Sequence, residues 1–172
     1  MTKLYVVGAG PGDIDLVAPK ALKAIENSSD LVAYGLYLDL LGTVCDGKIH
    51  HDLPLGKEID RARLALDLVC QGKTTALISS GDIGIYAMAT LVFELLDRQL
   101  QGLEQKPEWL DVDIEVIPGI SAMQAGASRA GAMLGHDFCT ISLSDLLTPW
   151  ETIEKRIHSC GTGDFVVSFY NP

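Results

Sequence analysis

Short apolar runs alternate along the chain with longer stretches in which apolar residues recur every three or four positions. The runs are "KLYVVGA", "DLVAY", "KTTALISSGD", "VDIEVIPG", "FCTISLSD" and "DFVVSFYNP". They predict strands, because β-branched and apolar residues over a few positions, bounded by Gly, Pro, Asp or Asn, suit a buried extended segment. The intervening stretches predict helices. "APKALKAIENS" carries Pro19 in its first turn, where the missing N–H costs nothing. "KEIDRARLALDLVCQG" puts Ile59, Ala62, Leu66 and Val69 on one face and stops at Gly72. "IYAMATLVFELLDRQL" is apolar nearly all round and predicts a buried helix, followed by a polar connection, "QGLEQKPEWLD". "TPWETIEKRIHS" opens with Thr148, Pro149 and Glu151, the pattern of a capping box with proline at the first helical position. Strand and helix in alternation predict an α/β fold, with mainly parallel sheets flanked by helices.

The texture changes after Gly119. "ISAMQAGASRAGAMLG" is dominated by Ala, Gly and Ser, which permit close approach of a ligand or another helix. A domain boundary is therefore expected near Pro118 to Ile120, giving domains 1–118 and 119–172. The last predicted strand is apolar, and nothing follows Pro172 to cover it. The second domain is expected to be incomplete, either as a fragment or as one completed by another chain.

Composition narrows the function classes. Of 172 residues, 48% are hydrophobic and 21% charged, as in a globular protein. No uninterrupted apolar run reaches the roughly 18 residues of a membrane helix, and no secretion signal opens the chain. The net charge of −10 argues against nucleic acid, whose phosphates need clustered Lys and Arg, and against an anionic membrane surface. Cys45, Cys70, Cys139 and Cys160 form no CxxC pair, which suggests reduced thiols in the cytoplasm. His50 and His51 could suggest a metal, but adjacent strand residues point to opposite faces, so a half-exposed strand explains them and no metal site is expected.

The opening glycine loop carries the first chemical clue. A dinucleotide-binding fingerprint needs glycines at relative positions one, three and six. Gly8, Gly10 and Gly12 fall at one, three and five, and Asp13 occupies the sixth, where it would repel a pyrophosphate. No Lys-Ser/Thr follows, and Pro11 removes an N–H that an anion cradle would use. The loop suits close approach, but not of phosphate. Two further loops, "SSGDIGIY" (79–86) and "IPGISAM" (117–123), also end predicted strands. Ligands of open α/β sheets collect beyond the carboxyl ends of strands, so the three loops together predict one pocket.

Read together, "VVGAGPGD", "SSGDIGIY" and "VIPGISAM" resemble the tetrapyrrole methylase family, in order and separation. "LGHDFCTISLSDLLTPWE" and the terminal "FYNP" resemble its branch that methylates C-17 of precorrin-3B in cobalamin synthesis. Two features depart from the family: Ile83 stands where Pro usually follows the Gly-Asp, and relatives continue well past "YNP". The resemblance implies a two-domain enzyme transferring a methyl group from S-adenosylmethionine to precorrin-3B or its cobalt-bearing counterpart, with ring contraction. It implies cofactor contacts at Pro11, Ser80, Gly81, Asp82, Ile85, Ser121, Ala122 and Asn171. Asp13 and Tyr86 are the expected contacts at the substrate end. A polycarboxylate substrate calls for a basic rim, for which Lys48, Lys57, Arg61, Arg63 and Arg129 are candidates. Relatives often dimerise, so a homodimer is expected. A non-catalytic fragment or assembly module of the same family, and a methylase of another tetrapyrrole, stay open as alternatives.

Overall fold

Strands form at β1 (Leu4–Gly8), β2 (Asp30–Ala33), β3 (Ile49–Asp52), β4 (Thr75–Ser79), β5 (Ile114–Ile117), β6 (Phe138–Ser142) and β7 (Val166–Tyr170). The computed structural model describes residues 2–172, which fall into two units divided between Ala122 and Met123.

In the first unit, β1 to β5 make one sheet in the order β3-β2-β4-β1-β5. Every neighbouring pair is parallel. All residues of β2 and β4 are buried, so neither shows the apolar–polar alternation of a strand with one face in water. Successive side chains leave opposite faces, so the inner strands β1, β2 and β4 feed two cores. Leu4, Val6, Val32 and Leu77 pack with residues of α3 (Glu58–Cys70) and α4 (Met88–Leu100). Val7, Leu31, Ala33, Ala76 and Ile78 pack with residues of α1 (Pro19–Asn27) and α2 (Gly35–Leu41). Each such Leu, Ile or Val contributes about 1.5–3 kcal/mol through removal from water.

Local expectations meet three corrections here. Ile59 is half exposed, because it lies in the first turn of α3 at the edge of the apolar stripe formed by Ala62, Ala65, Leu66 and Val69. Helix α4 is one-sided: Met88, Ala89, Val92 and Leu95 are buried, whereas Phe93 and Leu100 face solvent. The connection after it holds a 3-10 turn (Pro107–Asp111) whose Trp109 is buried, with Nε1 donating to Asp67 Oδ1 at 2.9 Å.

Asp30 is a buried carboxylate at the start of β2. It accepts from Ser29 Oγ at 2.7 Å and lies 2.8 Å from His51 Nε2. Burial pushes its pKa up, but the hydrogen bonds from His51 and Ser29 and the nearby His51 and Lys73 charges outweigh that and hold it below the usual carboxylate value. His50 turns elsewhere, to the Cys45 carbonyl at 3.0 Å.

The second unit carries a parallel pair, β6 and β7, with Cys139 opposite Val167 and Ile141 opposite Phe169. Helix α6 (Trp150–Thr162) connects them, and α5 (Ala122–Ala130) precedes them. The expected capping box is absent: the helix begins one residue later than proposed, Pro149 stands at its N-cap, and no side chain caps it. Ile141 and Ile153 are the buried hydrophobic residues of this unit. Among the described residues, no helix is long and apolar enough to cross a membrane.

Candidate functional site

The strand order explains why three loops distant in sequence lie together. β4, β1 and β5 are immediate neighbours, so the turns leaving their carboxyl ends lie side by side. Their glycines let backbone touch backbone. A Cβ on Gly8 would meet Gly119 N at 2.7 Å, Gly81 O at 2.7 Å and Ile83 N at 2.9 Å. A Cβ on Gly119 would meet Gly8 O at 2.6 Å. Both positions exclude any larger residue, because the obstructing atoms are main chain and cannot swing away. Gly10 and Gly81 close the first two loops with a two-way bridge, Gly10 N donating to Gly81 O at 3.1 Å and Gly81 N to Gly10 O at 2.6 Å.

Asp82 ties the third loop to the second. Its Oδ1 accepts from Gly84 N at 2.9 Å, as in an ordinary Asx turn, while Oδ2 accepts from Gly119 N at 3.1 Å. The carboxylate thus fixes the spacing between the two loops. Beside it, Ser121 is buried and Ala122 is exposed. A Cβ on Gly81 would meet Ala122 N at 3.9 Å and Ser121 Cα at 4.0 Å, ordinary contact, so it is the left-handed φ of +66° that calls for glycine there.

Pro11, Ser80, Gly81, Asp82 and Ile85 are half-buried at the same carboxyl edge, in the same unit as Asp13, Tyr86, Ser121 and Ala122. Tyr86 is 47% exposed and holds the left-handed conformation, φ +50°, rare for a residue with a side chain. Asp13 caps a 3-10 turn by accepting from Asp15 N at 3.0 Å. Asn171 belongs to the second unit, where its Nδ2 donates to Ser142 Oγ at 3.0 Å and its φ is +52°.

A cleft on the first loop brings in residues that sequence reasoning missed. Ala9, Gly10, Gly12, Asp13, Ile14, Val17 and Ser80 face Tyr37, Leu40 and Leu41 of α2. The stretch "GLYLDLLG" after β2 was the available signal, with apolar residues at helical spacing between two glycines. Asp52, at the end of β3, holds the N-terminus of this helix by accepting from Gly35 N at 2.7 Å.

The expected basic rim needs correction. Arg61 is only 4% exposed; its Nη2 holds Glu58 at 2.6 Å and its Nη1 reaches the Leu53 carbonyl at 3.4 Å. It anchors the β3–α3 connection and presents no charge to a ligand. Arg63 bonds Glu104 at 2.7 Å, and Arg98 shares that carboxylate at 3.1 Å. Lys57 pairs with Asp60 at 3.2 Å, and Lys48 donates to the Glu26 carbonyl. Arg129 lies exposed in α5.

The parallel sheet ends in glycine loops knitted together at its carboxyl edge, with no Lys or Arg in residues 6–13, 79–86 or 117–123. The family model for "Tetrapyrrole (Corrin/Porphyrin) Methylases" matches residues 3–172. The chain belongs to the tetrapyrrole methylase family. It is 45% identical over 169 residues to a probable cobalt-factor III C(17)-methyltransferase of Salmonella typhimurium, covering 98% of this chain and 66% of that protein. It is 40% identical over 169 residues to a precorrin-3B C(17)-methyltransferase of a Sinorhizobium species, covering 98% and 64%. The crystal structure of the methyltransferase CobJ superposes with a TM-score of 0.91 at 41% identity, over 100% of this chain and 69% of that one. The chain spans only part of the curated relatives it matches, from 31% of the length of a cobalt-factor III methyltransferase of Priestia megaterium to 66% of the Salmonella protein.

Proposed function

We propose that this chain forms the cofactor-binding part of an S-adenosylmethionine-dependent methyltransferase that methylates C-17 of precorrin-3B or its cobalt-bearing counterpart. The observation that carries the reading is the interlock of the three strand-end loops through Gly8, Gly81, Asp82 and Gly119. The similarity to C(17)-methyltransferases over nearly the whole chain supports the choice of substrate.

The loop residues fit such a cofactor. They offer main-chain polar groups, small side chains and carboxylates, which suit a sulfonium, an amino acid and an uncharged adenosine; they lack the cationic groups a diphosphate needs. S-adenosylmethionine supplies a methyl group on a positively charged sulfur, which leaves as a neutral thioether. In this reading Pro11, Ser80, Gly81, Ile85, Ser121 and Ala122 line the cofactor. Asp82 holds the loops at fixed spacing, so that methyl donor and ring carbon can be aligned without reorganisation. Asp13 and Tyr86 contact the substrate, and the Tyr37–Leu40 cleft offers an apolar wall that excludes water from its ring. Lys57 and Arg63 remain candidates for its carboxylates, and their acidic partners must be displaced first. A cytoplasmic homodimer completes the proposal; light scattering tests the oligomeric state.

The direct test incubates the chain with methyl-labelled S-adenosylmethionine and cobalt-factor III or precorrin-3B, and reads product mass. Gain of one methyl at C-17 is the expected result. Methylation of another tetrapyrrole in preference would move the assignment within the family. Absence of methylation, with cofactor bound, would leave a binding module.

A further inference from the structure

Of the four cysteines, two stand together. Cys139 on β6 and Cys160 in the last turn of α6 bring their Sγ atoms within 3.0 Å, although 21 residues separate them. Both lie in the second unit and both are half-buried, so a small reagent can reach them. Cys70 is exposed, with Sγ 3.6 Å from the Glu108 carbonyl, and Cys45 is buried. Neither belongs to the second unit.

We propose that Cys139 and Cys160 form a reversible redox site, a dithiol that closes to a disulfide joining β6 to α6. The inference does not depend on the methyltransferase reading. A sulfur–sulfur contact of 3.0 Å needs only about 1 Å of further approach to reach bonding distance. The link would also act where it has most effect, because the buried hydrophobic residues of this unit are Ile141 on β6 and Ile153 on α6. A covalent tie between the same two elements reinforces a thin core.

The oxidant is a small-molecule disulfide such as oxidised glutathione. One protein thiolate attacks a sulfur of the reagent, forming a mixed disulfide and releasing one glutathione thiol. The second protein thiol then loses its proton and displaces the remaining glutathione, leaving an intramolecular Sγ–Sγ bond. Two protein thiols are oxidised, and one glutathione disulfide is reduced to two thiols. The hydrogen bond shared with Cys160, with burial and the Cys160 charge adding to it, raises the Cys139 thiol to about 11. Whichever thiol ionises attacks first, and the other, already in contact with it, resolves the mixed disulfide.

The test equilibrates the full chain in glutathione buffers of rising oxidised fraction, quenches with an alkylating reagent, and maps peptides by mass without reduction. The expected product is a cross-linked pair of peptides containing Cys139 and Cys160, lighter than the reduced pair by two hydrogens and reopened by dithiothreitol. Cys160→Ser should abolish the cross-link and leave Cys139 as a mixed disulfide with glutathione. Cys139→Ser should leave Cys160 trapped as a mixed disulfide with glutathione. Separate glutathionylation of both cysteines in the unsubstituted chain would overturn the proposal. So would a cross-link to Cys70, or free alkylation of both thiols at every buffer ratio.

Discussion

The two units of this chain place their apolar residues very differently. The first covers both faces of its sheet with helices and buries a continuous set of Leu, Ile, Val and Ala side chains on each. The second buries Ile141 and Ile153 but leaves Phe138, Trp150, Phe165 and Phe169 about half exposed and Leu146 and Leu147 almost wholly so. A sheet needs cover on both faces before its strands can be apolar throughout, and only the first sheet has it. Precision follows the same division. The loop interlock at the carboxyl edge, with main-chain contacts that admit no Cβ, stands on the well-packed unit.

The sharpest way to break this comparison is to open each core in turn. Leu77→Ala, in the middle of the central strand β4, should cost about 4 kcal/mol by denaturant melting, near the top of the range for such truncations. Ile153→Ala should cost about 2 kcal/mol, because its thin surroundings can collapse around the gap. Equal costs would show that the second core is as rigid as the first.

A smaller effect sharpens the electrostatic side. Asp30→Asn should cost about 1–2 kcal/mol near neutral pH, through loss of a charged hydrogen-bond acceptor at a buried position. The folded Asp30 pKa is depressed, so its contribution is present above the ordinary carboxylate value and disappears as pH falls through the lower folded value. The gap between wild type and variant, measured by urea midpoints across the acid range, should narrow as pH falls below about 4. A gap that widened in acid would contradict the assignment of the His51 and Ser29 contacts.

The smallest expected change is at the exposed patch. Leu147→Ser should alter stability by less than about 0.5 kcal/mol, since that side chain is 98% exposed. A loss beyond that in a concentration-dependent melt would reveal a surface covered by another copy in solution.

Much of this division could be read from residues, and the failures have physical causes. β2 and β4 were legible because burial on both faces leaves no polar alternation to confuse them. Pro19 marked the start of α1 correctly, and Gly72, with φ +86°, marked the end of α3. Arg61 was misplaced because helical spacing shows which side a residue lies on, but not that Glu58 and the Leu53 carbonyl wait to receive a buried guanidinium. Pattern also cannot distinguish a glycine that clears room for a ligand from one that clears room for another loop. Gly8 and Gly119 are of the second kind, and the strand order that makes them neighbours appears only in the folded chain. The same holds for Cys139 and Cys160, which looked scattered along the chain and meet in space.

The most direct measurement is isothermal titration of S-adenosylhomocysteine into the chain and into Gly119→Ala, with circular dichroism to verify that both are folded. The account predicts one site per wild-type chain. It predicts loss of at least tenfold in affinity for the variant, since parting the loops by main-chain collision costs about 1.4 kcal/mol or more at the site. Undiminished binding by folded Gly119→Ala, or no binding by the folded wild-type chain, would contradict the claim that the interlocked strand ends form the cofactor site.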